Sequence, residues 1–149
     1  MKSAEHKSNF TLNPTNGRGV TTLSVSSDGQ VLVGQLWDRQ LHVYSADCRH
    51  VKSIKLPNND KARDAVWTRR GNIVYSECNS GKVVTMSQSG DVIQQTNVSS
   101  PTCLSVSTDG VIYLISDNYT SVYQSTDHGV TWSLVFHVTD GWKCGQVIQ

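Results

Sequence analysis

The sequence predicts an all-β protein whose 149 residues form three four-stranded antiparallel sheets, with one extra strand at each terminus. Two observations support this prediction. Residues that favour strands and tight turns are frequent, whereas residues that favour helices are sparse. In addition, one pattern of strand, turn and strand occurs three times along the chain.

The repeated pattern begins with an alternating strand, continues through a turn that contains glycine, and ends in a strongly apolar strand. Two of the copies carry an Asp-Gly pair, which predicts two-residue hairpin turns because glycine accepts positive φ. The turn glycines Gly29, Gly71 and Gly110 lie 42 and 39 residues apart. The copies are TTLSVSSDGQVLVG from Thr21, RDAVWTRRGNIVYS from Arg63 and TCLSVSTDGVIYLI from Thr102.

Two further strand-like runs follow each copy, so that each repeat contains four short strands. The runs are RQLHVYS and VKSIKLP, then GKVVTMS and DVIQQTNV, then TSVYQS and TWSLVFHV. A period of about 40 residues with four strands per unit is typical of β-propeller blades. We therefore expect a single domain with blades at roughly 20–57, 62–98 and 101–138.

The two ends of the chain predict an incomplete ring, or half-propeller. A segment near 8–12 has the pattern of an outer strand, and a segment near 143–149 has the pattern of an inner strand. Three blades cannot close a ring, because propellers typically have about four to eight. We expect either that a second copy completes the ring as a homodimer or that the chain is a piece of a longer protein.

Two stretches, PTCLSVSTDGVIYLISDNYTSVYQS and SVSSDGQVLVGQLWDRQLHVYS, resemble the blades of NHL-repeat propellers. A third stretch, QSTDHGVTWSLV, resembles the Asp-box of sialidases and other propellers, with the form S-x-D-x-G-x-T-W. The Asp-box resemblance implies a structural motif on the face away from a functional site, formed by Ser125, Asp127, Gly129, Thr131 and Trp132. A short aspartate can also accept backbone N–H bonds across its own turn.

The loops after the second and fourth strands of propeller blades gather at one mouth of the ring, and here they supply the candidate ligand contacts. They mix aromatic, amide and charged side chains, which suits recognition of a protein, peptide or glycan. The candidates are Arg18, Trp37, Asp38, Arg39, Asn58, Asp60, Glu77, Asn79, Asp117, Asn118, Tyr119 and Trp142.

The predicted function is a non-catalytic binding module without a metal or other cofactor. No histidines have metal-ligand spacing, no phosphate loop is present, and no base–nucleophile pair stands out. The alternative is half or a fragment of a propeller hydrolase of the gluconolactonase or sialidase type. A second alternative is an RNA-binding NHL-type propeller that uses Arg63, Arg69 and Arg70, although a net charge of +1 argues against nucleic acid.

The compartment is predicted from what the sequence lacks. No apolar run approaches the roughly 20 residues of a membrane span, so no membrane is expected. The first residues contain no apolar stretch of a secretory signal, which favours the cytoplasm by default. Three N-x-S/T sequons, at Asn9, Asn97 and Asn118, would matter in a secreted fragment. The cysteines at positions 48, 78, 103 and 144 are expected to be free thiols.

Overall fold

A computed structural model describes residues 19–77 and 79–138 of the chain. The terminal strands expected near 8–12 and 143–149 lie outside the described residues, as do Arg18, Cys78, Trp142 and Cys144.

The described residues form three four-stranded antiparallel sheets, and in each sheet the strands lie side by side in chain order. Pro57–Asn59 form a short 3₁₀ turn between the first two sheets. No helix in the described part of the chain is long and apolar enough to cross a membrane. The first sheet contains β1 (Val20–Val25), β2 (Val31–Gln35), β3 (Gln40–Tyr44) and β4 (His50–Lys55). The second contains β5 (Ala62–Trp67), β6 (Ile73–Glu77), β7 (Lys82–Met86) and β8 (Val92–Asn97). The third contains β9 (Leu104–Val106), β10 (Ile112–Ser116), β11 (Ser121–Ser125) and β12 (Ser133–His137).

The first strand of each sheet is the inner strand of a blade and the fourth is the outer one. Strand β1 contacts β5, and β5 contacts β9, so the three inner strands lie next to one another. Every residue of β6 and β7 is buried, whereas most of β8 and β12 is exposed. The burial pattern therefore follows the order of strands from the middle of a blade to its outer edge.

Two apolar layers hold the sheets together face to face. Between the first and second sheets, Leu32 and Val43 pack in one cluster with Trp67, Tyr75 and Met86. Trp67 is only 3% exposed within this cluster. Burying a Leu, Val or aromatic side chain contributes about 1.5–3 kcal/mol, so these layers supply the main attraction between blades. Between the second and third sheets the layer contains Val66, Val74, Val83, Leu104, Ile112 and Leu114.

The hairpins between first and second strands have three-residue loops, so the prediction of two-residue turns is wrong. In the first sheet the N–H of Ser26 donates to the carbonyl of Gln30 at 2.9 Å, and Gly29 N–H donates to the carbonyl of Ser26 at 3.0 Å. Gly29 has a φ of 87°, which is the left-handed conformation that closes such a loop after a type I turn. Glycine at this position is compatible with both loop lengths, and therefore the dipeptide alone does not distinguish them.

The cysteines differ from one another in the structure. Cys103 is disulfide-bonded, whereas Cys48 is a free thiol. The expectation of four free thiols is therefore wrong for Cys103. A disulfide requires proximity in the fold, which spacing along the chain does not reveal.

Candidate functional site

The meandering strands divide the connections between two opposite ends of the sheets. The hairpins that follow the first and third strands of each sheet lie at one end, which we call the turn end. The connections within each sheet from second to third strand, and those between sheets, lie at the other end, which we call the loop end. All the predicted ligand contacts in the described residues belong to the loop end, namely Trp37, Asp38, Arg39, Asn58, Asp60, Glu77, Asn79, Asp117, Asn118 and Tyr119.

Asp60 is buried at the loop end and both of its carboxylate oxygens are occupied. The Tyr75 hydroxyl donates to Oδ2 at 2.7 Å, and Nζ of Lys82 lies 2.9 Å from Oδ1. Burial, followed by the hydrogen bond to Asp60, raises the pKa of Tyr75 far above its ordinary value. Because Asp60 is only 6% exposed, it fixes the loop from within and presents little surface to a ligand.

Glu77 has a similar supporting position at the end of β6. One oxygen accepts the backbone N–H of Lys61 at 3.1 Å, and the other accepts those of Asn79 at 2.7 Å and Ser80 at 2.6 Å. Burial acts to raise the pKa of Glu77, but these hydrogen bonds outweigh it and hold the pKa below its ordinary value. Glu77 therefore joins the loop after β6 to the link that precedes β5.

Asp38 belongs to a Ser–His–Asp set that the sequence did not single out. Nε2 of His42 lies 3.2 Å from Oδ2 of Asp38, and Nδ1 lies 2.8 Å from the hydroxyl of Ser53. The same hydroxyl lies 3.0 Å from Nε2 of His50. Asp38 and His42 are buried, whereas Ser53 is exposed on β4. The signal was not readable from spacing, because the pairing of β3 with β4 brings Ser53 to His42.

Four side chains of the loop end form a row across all three sheets, which we call the aromatic–basic row: Trp37, Lys61, Arg63 and Tyr119. Nζ of Lys61 lies 5.3 Å from the centroid of the Trp37 ring, within the range of a cation–π contact. Nη2 of Arg63 donates to the hydroxyl of Tyr119 at 3.3 Å. Lys61 directly precedes β5 and Arg63 is its second residue, at an irregularity in the pairing of β5 with β6, so both cations lie at the loop-end start of this strand.

The two aromatic residues of the row are held in an unfavourable backbone conformation. Trp37 has a φ of 67°, and the consecutive residues Asp117, Asn118 and Tyr119 have φ values of 53°, 56° and 68°. The left-handed region costs roughly 1–2 kcal/mol per residue for a side chain with a Cβ atom. Strain of this kind clusters at sites that bind ligands, where the surrounding fold maintains it. The two loops of the row are therefore among the strained segments of the described chain, together with those that contain Cys48, Asn58, Asn59, Ser100 and His128.

At the loop end Arg39 and Arg63 are exposed and Lys61 is half-buried, and the half-buried carboxylate of Asp117 lies at the same end. Arg39, Lys61 and Arg63 form no ion pair with any residue in the described ranges. In contrast, the carboxylates of Asp60 and Glu77 are buried and engaged with groups of the protein itself. The exposed candidates Asn58, Asn79 and Asn118 add amide groups around these cations. The arrangement can attract and orient an anionic partner.

The arginines considered for RNA binding do not form one surface. Arg63 lies near the start of β5 at the loop end, whereas Arg69 and Arg70 follow the last residue of β5 at the turn end. Among the residues that the structure describes, no group of three His, Cys, Asp or Glu side chains could hold a metal ion.

The stretch with the Asp-box pattern occupies the hairpin between β11 and β12, at the turn end. Oδ1 of Asp127 accepts the Ser125 hydroxyl at 2.8 Å and the backbone N–H of Thr131 at 2.9 Å. The Ser125 hydroxyl in turn accepts the N–H of Gly129 at 2.8 Å. The carbonyl of Gly129 accepts the Thr85 hydroxyl of the second sheet at 2.7 Å. The hairpin is thus tied both internally and to the neighbouring sheet.

The sequence matches no protein-family model and no curated protein. Solved structures of β-propeller proteins nevertheless share the fold. Virginiamycin B lyase from Staphylococcus aureus aligns with a TM-score of 0.66 and 19% identity, over 87% of this chain and 45% of its own length. A streptogramin B lyase structure aligns with a TM-score of 0.67 and 14% identity, over 86% of this chain and 43% of its own.

YCF48 bound to D1 peptide aligns with a TM-score of 0.62 and 15% identity, over 77% of this chain and 39% of that protein. Identities this low show the fold alone. The chain spans less than half the length of these propeller proteins. The comparisons therefore establish that the three sheets are blade-like units of a β-propeller fold.

Proposed function

We propose that this chain is a non-catalytic propeller module that binds an acidic peptide segment through its loop end. The observation that carries the proposal is the aromatic–basic row, in which Trp37 and Tyr119 flank two cations that have no carboxylate partner in the described residues. Aromatic and arginine side chains are the groups that contribute most at protein interfaces. The row offers flat apolar contacts together with charge for Asp or Glu side chains.

The proposal agrees with what is known of the fold in another protein. YCF48, which shares the fold, has been solved bound to a D1 peptide. A propeller-type protein can therefore present a peptide-binding surface, although the identity of 15% carries no residue of that surface over to this chain.

The test is fluorescence polarisation with a fluorescein-labelled hexaglutamate peptide as the probe. We expect saturable binding that weakens as salt rises, because exposed charges are screened. Arg63→Gln and Trp37→Ala should each weaken binding about tenfold, the effect of one charged hydrogen bond or one aromatic contact. Arg49→Gln is the matched control, since Arg49 is exposed at the turn end. Equal binding by both arginine variants, or equal binding of a hexalysine peptide, would contradict the proposal. If the protein bound an anionic glycan but not the peptide, the ligand would be a glycan and the peptide proposal would be wrong.

A second candidate function is hydrolysis, and the Ser–His–Asp set of Asp38, His42 and Ser53 is the observation that favours it. An imidazole held by a carboxylate can take the proton of a serine hydroxyl as that hydroxyl attacks an ester carbonyl. The matching test is covalent labelling with a fluorophosphonate. Labelling that Ser53→Ala removes and that Ser99→Ala retains would support an enzyme. If no labelling occurred, the hydrogen bonds of Asp38, His42 and Ser53 would serve only to join β3 to β4.

For the assembly, we propose that a second copy of the chain covers the open blade faces. Two of the inner strands, β5 and β9, donate backbone N–H groups to side chains of the preceding blade: Trp67 N–H donates to the Ser24 hydroxyl at 3.1 Å, and Leu104 N–H donates to Asp64 at 2.8 Å. In the third repeat, Ser105 occupies the position that Ser24 has in the first repeat. In the first repeat, Val25 occupies the position that Trp67 has in the second. Ser105 of one copy can therefore receive Val25 N–H of another, as at the boundary within the chain. Leu23 and Val25 are 70% and 62% exposed beside that edge.

A further inference from the structure

One of the N-x-S/T sequons lies where the outer strand of the second sheet ends. It consists of Asn97, Val98 and Ser99, and Asn97 is the last residue of β8. The middle residue, Val98, packs against the apolar layer between the second and third sheets. Neighbouring side chains of a strand point to opposite sides, so the inward Val98 leaves Asn97 facing outwards. Asn97 and Ser99 are both exposed.

The two groups that define an N-glycosylation sequon, the asparagine amide and the hydroxyl two residues later, are accessible here. Neither the Asn97 amide nor the Ser99 hydroxyl makes a hydrogen bond to another described residue. In the sequon at Asn118, by contrast, the Thr120 hydroxyl donates to the carbonyl of Asp117 at 2.6 Å. A glycan on Asn118 would also stand directly beside Tyr119 of the aromatic–basic row.

Cys103, which directly precedes β9, provides independent evidence on the compartment. It is disulfide-bonded. Disulfides form and persist in the secretory pathway and outside the cell, and they are rare in the cytosol. The disulfide therefore argues against the cytoplasmic location expected from the sequence. It favours the oxidising compartment in which N-linked glycans are added to sequons.

Strand β8 is an edge that lacks the usual protection against pairing with another chain. Its residues Val92–Asn97 include no charged side chain and no proline, and Val92 and Ile93 are 45% and 46% exposed. Natural proteins protect such edges with lysines, prolines or a cover. The outer strand β4 contains Lys52 and Lys55, whereas β8 contains no lysine. A bulky hydrophilic glycan on Asn97 would cover the end of β8.

We propose that Asn97 is an N-glycosylation site. The co-reactant is an oligosaccharide carried on a lipid pyrophosphate. The amide nitrogen of Asn97 forms a bond to the anomeric carbon of the first sugar, and the bond from that carbon to the pyrophosphate oxygen breaks. The lipid pyrophosphate leaves with the electron pair of the broken bond, and the amide gives up one proton.

The glycan on Asn97 leaves the aromatic–basic row open to a peptide. Strands β5 and β8 are the two edges of the second sheet, with β6 and β7 between them. Three strand spacings separate the edges, which corresponds to about 14 Å. The row lies at the start of β5, whereas the glycan projects from the end of β8.

The first test is peptide mapping by mass spectrometry of the protein isolated from the cells that make it. Peptide:N-glycosidase releases N-linked glycans and converts each acceptor asparagine to aspartate. We expect this conversion at position 97 and not at Asn79, which is exposed but heads no sequon. A sample without the enzyme controls for spontaneous deamidation. An unmodified asparagine at position 97 would overturn the proposal, as would a glycan found on Asn118 alone.

The second test shows which groups the modification needs, and it uses the 149-residue chain secreted from eukaryotic cells behind an added signal peptide. Ser99→Ala should abolish the glycan at position 97, and Ser99→Thr should retain it, because the sequon requires a hydroxyl at this position. Ser100→Ala is the matched control, since Ser100 is an exposed neighbour outside the sequon. Equal occupancy of position 97 in Ser99→Ala and in the unaltered chain would contradict the assignment.

Two further measurements on the secreted chain separate this proposal from the peptide-binding function. Enzymatic removal of the glycan should increase aggregation, measured by light scattering, because it uncovers the edge of β8. Hexaglutamate binding should be the same before and after removal. If position 97 carries the glycan but neither form binds hexaglutamate, the peptide proposal is wrong and the glycosylation site stands.

Discussion

Thr22 donates its hydroxyl hydrogen to Oδ1 of Asp64 at 2.8 Å, across the boundary between the first and second sheets. Oδ2 of the same carboxylate accepts the backbone N–H of Leu104 in the third sheet at 2.8 Å. One aspartate on the middle inner strand thus joins all three blades near their common inner edge. Burial raises the pKa of Asp64 above its ordinary value, and the hydrogen bonds from Leu104 and Thr22 oppose that rise.

We predict that Thr22→Val destabilises the fold by about 1–2 kcal/mol, the range of a buried hydrogen bond whose partner is left behind. The valine keeps the shape of the side chain but removes the donor to Asp64 and the acceptor for Ala65 N–H. The measurement is urea unfolding at neutral pH. The control is Thr21→Val, because Thr21 is exposed on the same strand. Similar losses in the two variants would show that the contact with Asp64 contributes nothing specific.

The penalty of Thr22→Val should also depend on pH. Asp64 has a folded-state pKa above its unfolded value of 3.8, so its contribution to stability falls as pH rises from 3.8 through the folded pKa. Loss of the Thr22 hydrogen bond raises the folded pKa further. The difference between variant and unaltered chain should therefore be smaller in acid, where Asp64 is protonated, than at neutral pH. A difference that is constant across this range would contradict the assignment.

Gly129→Ala should be far more destabilising than Gly71→Ala, although both glycines have positive φ, at 89° and 82°. A Cβ atom at Gly129 would lie 2.5 Å from the Thr85 hydroxyl oxygen and 2.7 Å from Cγ2 of Val74, whereas one at Gly71 meets only Nε2 of Gln88 at 3.5 Å. Both variants carry the left-handed strain of roughly 1–2 kcal/mol. Overpacking against the second sheet adds about 1–3 kcal/mol in Gly129→Ala. Equal melting temperatures would show that the hairpin does not press on its neighbour.

Asp127 should contribute stability that is lost in strong acid. Burial acts to raise its pKa, but hydrogen bonds from Thr131 and Ser125 outweigh burial and lower the pKa from 3.8 to about 2. Because the folded-state pKa is lower than the unfolded one, the contribution of Asp127 to stability is complete above pH 3.8 and disappears as pH falls towards 2.

Asp127→Ala should cost about 1–2 kcal/mol at neutral pH and leave peptide binding unchanged. The difference in unfolding free energy between the unaltered chain and Asp127→Ala should shrink as pH falls from about 5 towards 2, because the folded-state pKa of Asp127 is about 2. Lost binding with intact stability would contradict a structural role.

The repeat was readable from the sequence because the period-two pattern and the turn glycines are local signals. The same signals predicted the four strands of each sheet, including the hairpin between β11 and β12. They could not show that Asp60 is buried, since its partners Tyr75 and Lys82 come from β6 and β7 and depend on how those strands pack.

The row at the loop end was only partly predicted for the same physical reason. Trp37 and Tyr119 were candidates because of their loop positions, but the pairing with Lys61 and Arg63 arises where neighbouring blades meet. Arg63 and Arg69 are near each other in the sequence, but a strand rises about 3.3 Å per residue, so the two arginines lie at opposite ends of β5.

The assembly prediction is that two copies associate through the open faces. Light scattering at micromolar concentration should give twice the mass of the 16.4 kDa chain. Val25→Asp should shift the mass towards a monomer, because it places a charge on an apolar face that must be dehydrated. Val92→Asp is the control, since Val92 is 45% exposed on the outer strand β8. A stable monomer of the unaltered chain would contradict the homodimer and would favour further blades of a longer chain as the covering element.

The last prediction separates binding from stability at Trp37. The position has a φ of 67°, which glycine adopts freely and alanine does not. Trp37→Gly should therefore be more stable than Trp37→Ala by about 1 kcal/mol, even though glycine usually destabilises a chain relative to alanine. Both variants remove the ring that contacts Lys61, so both should lose affinity for the hexaglutamate probe to the same extent. Urea unfolding and fluorescence polarisation on the same samples measure the two effects. If Trp37→Gly were the more stable variant but both variants bound the hexaglutamate probe as tightly as the unaltered chain does, the indole ring would not contact the peptide. Trp37 would then not belong to the binding site.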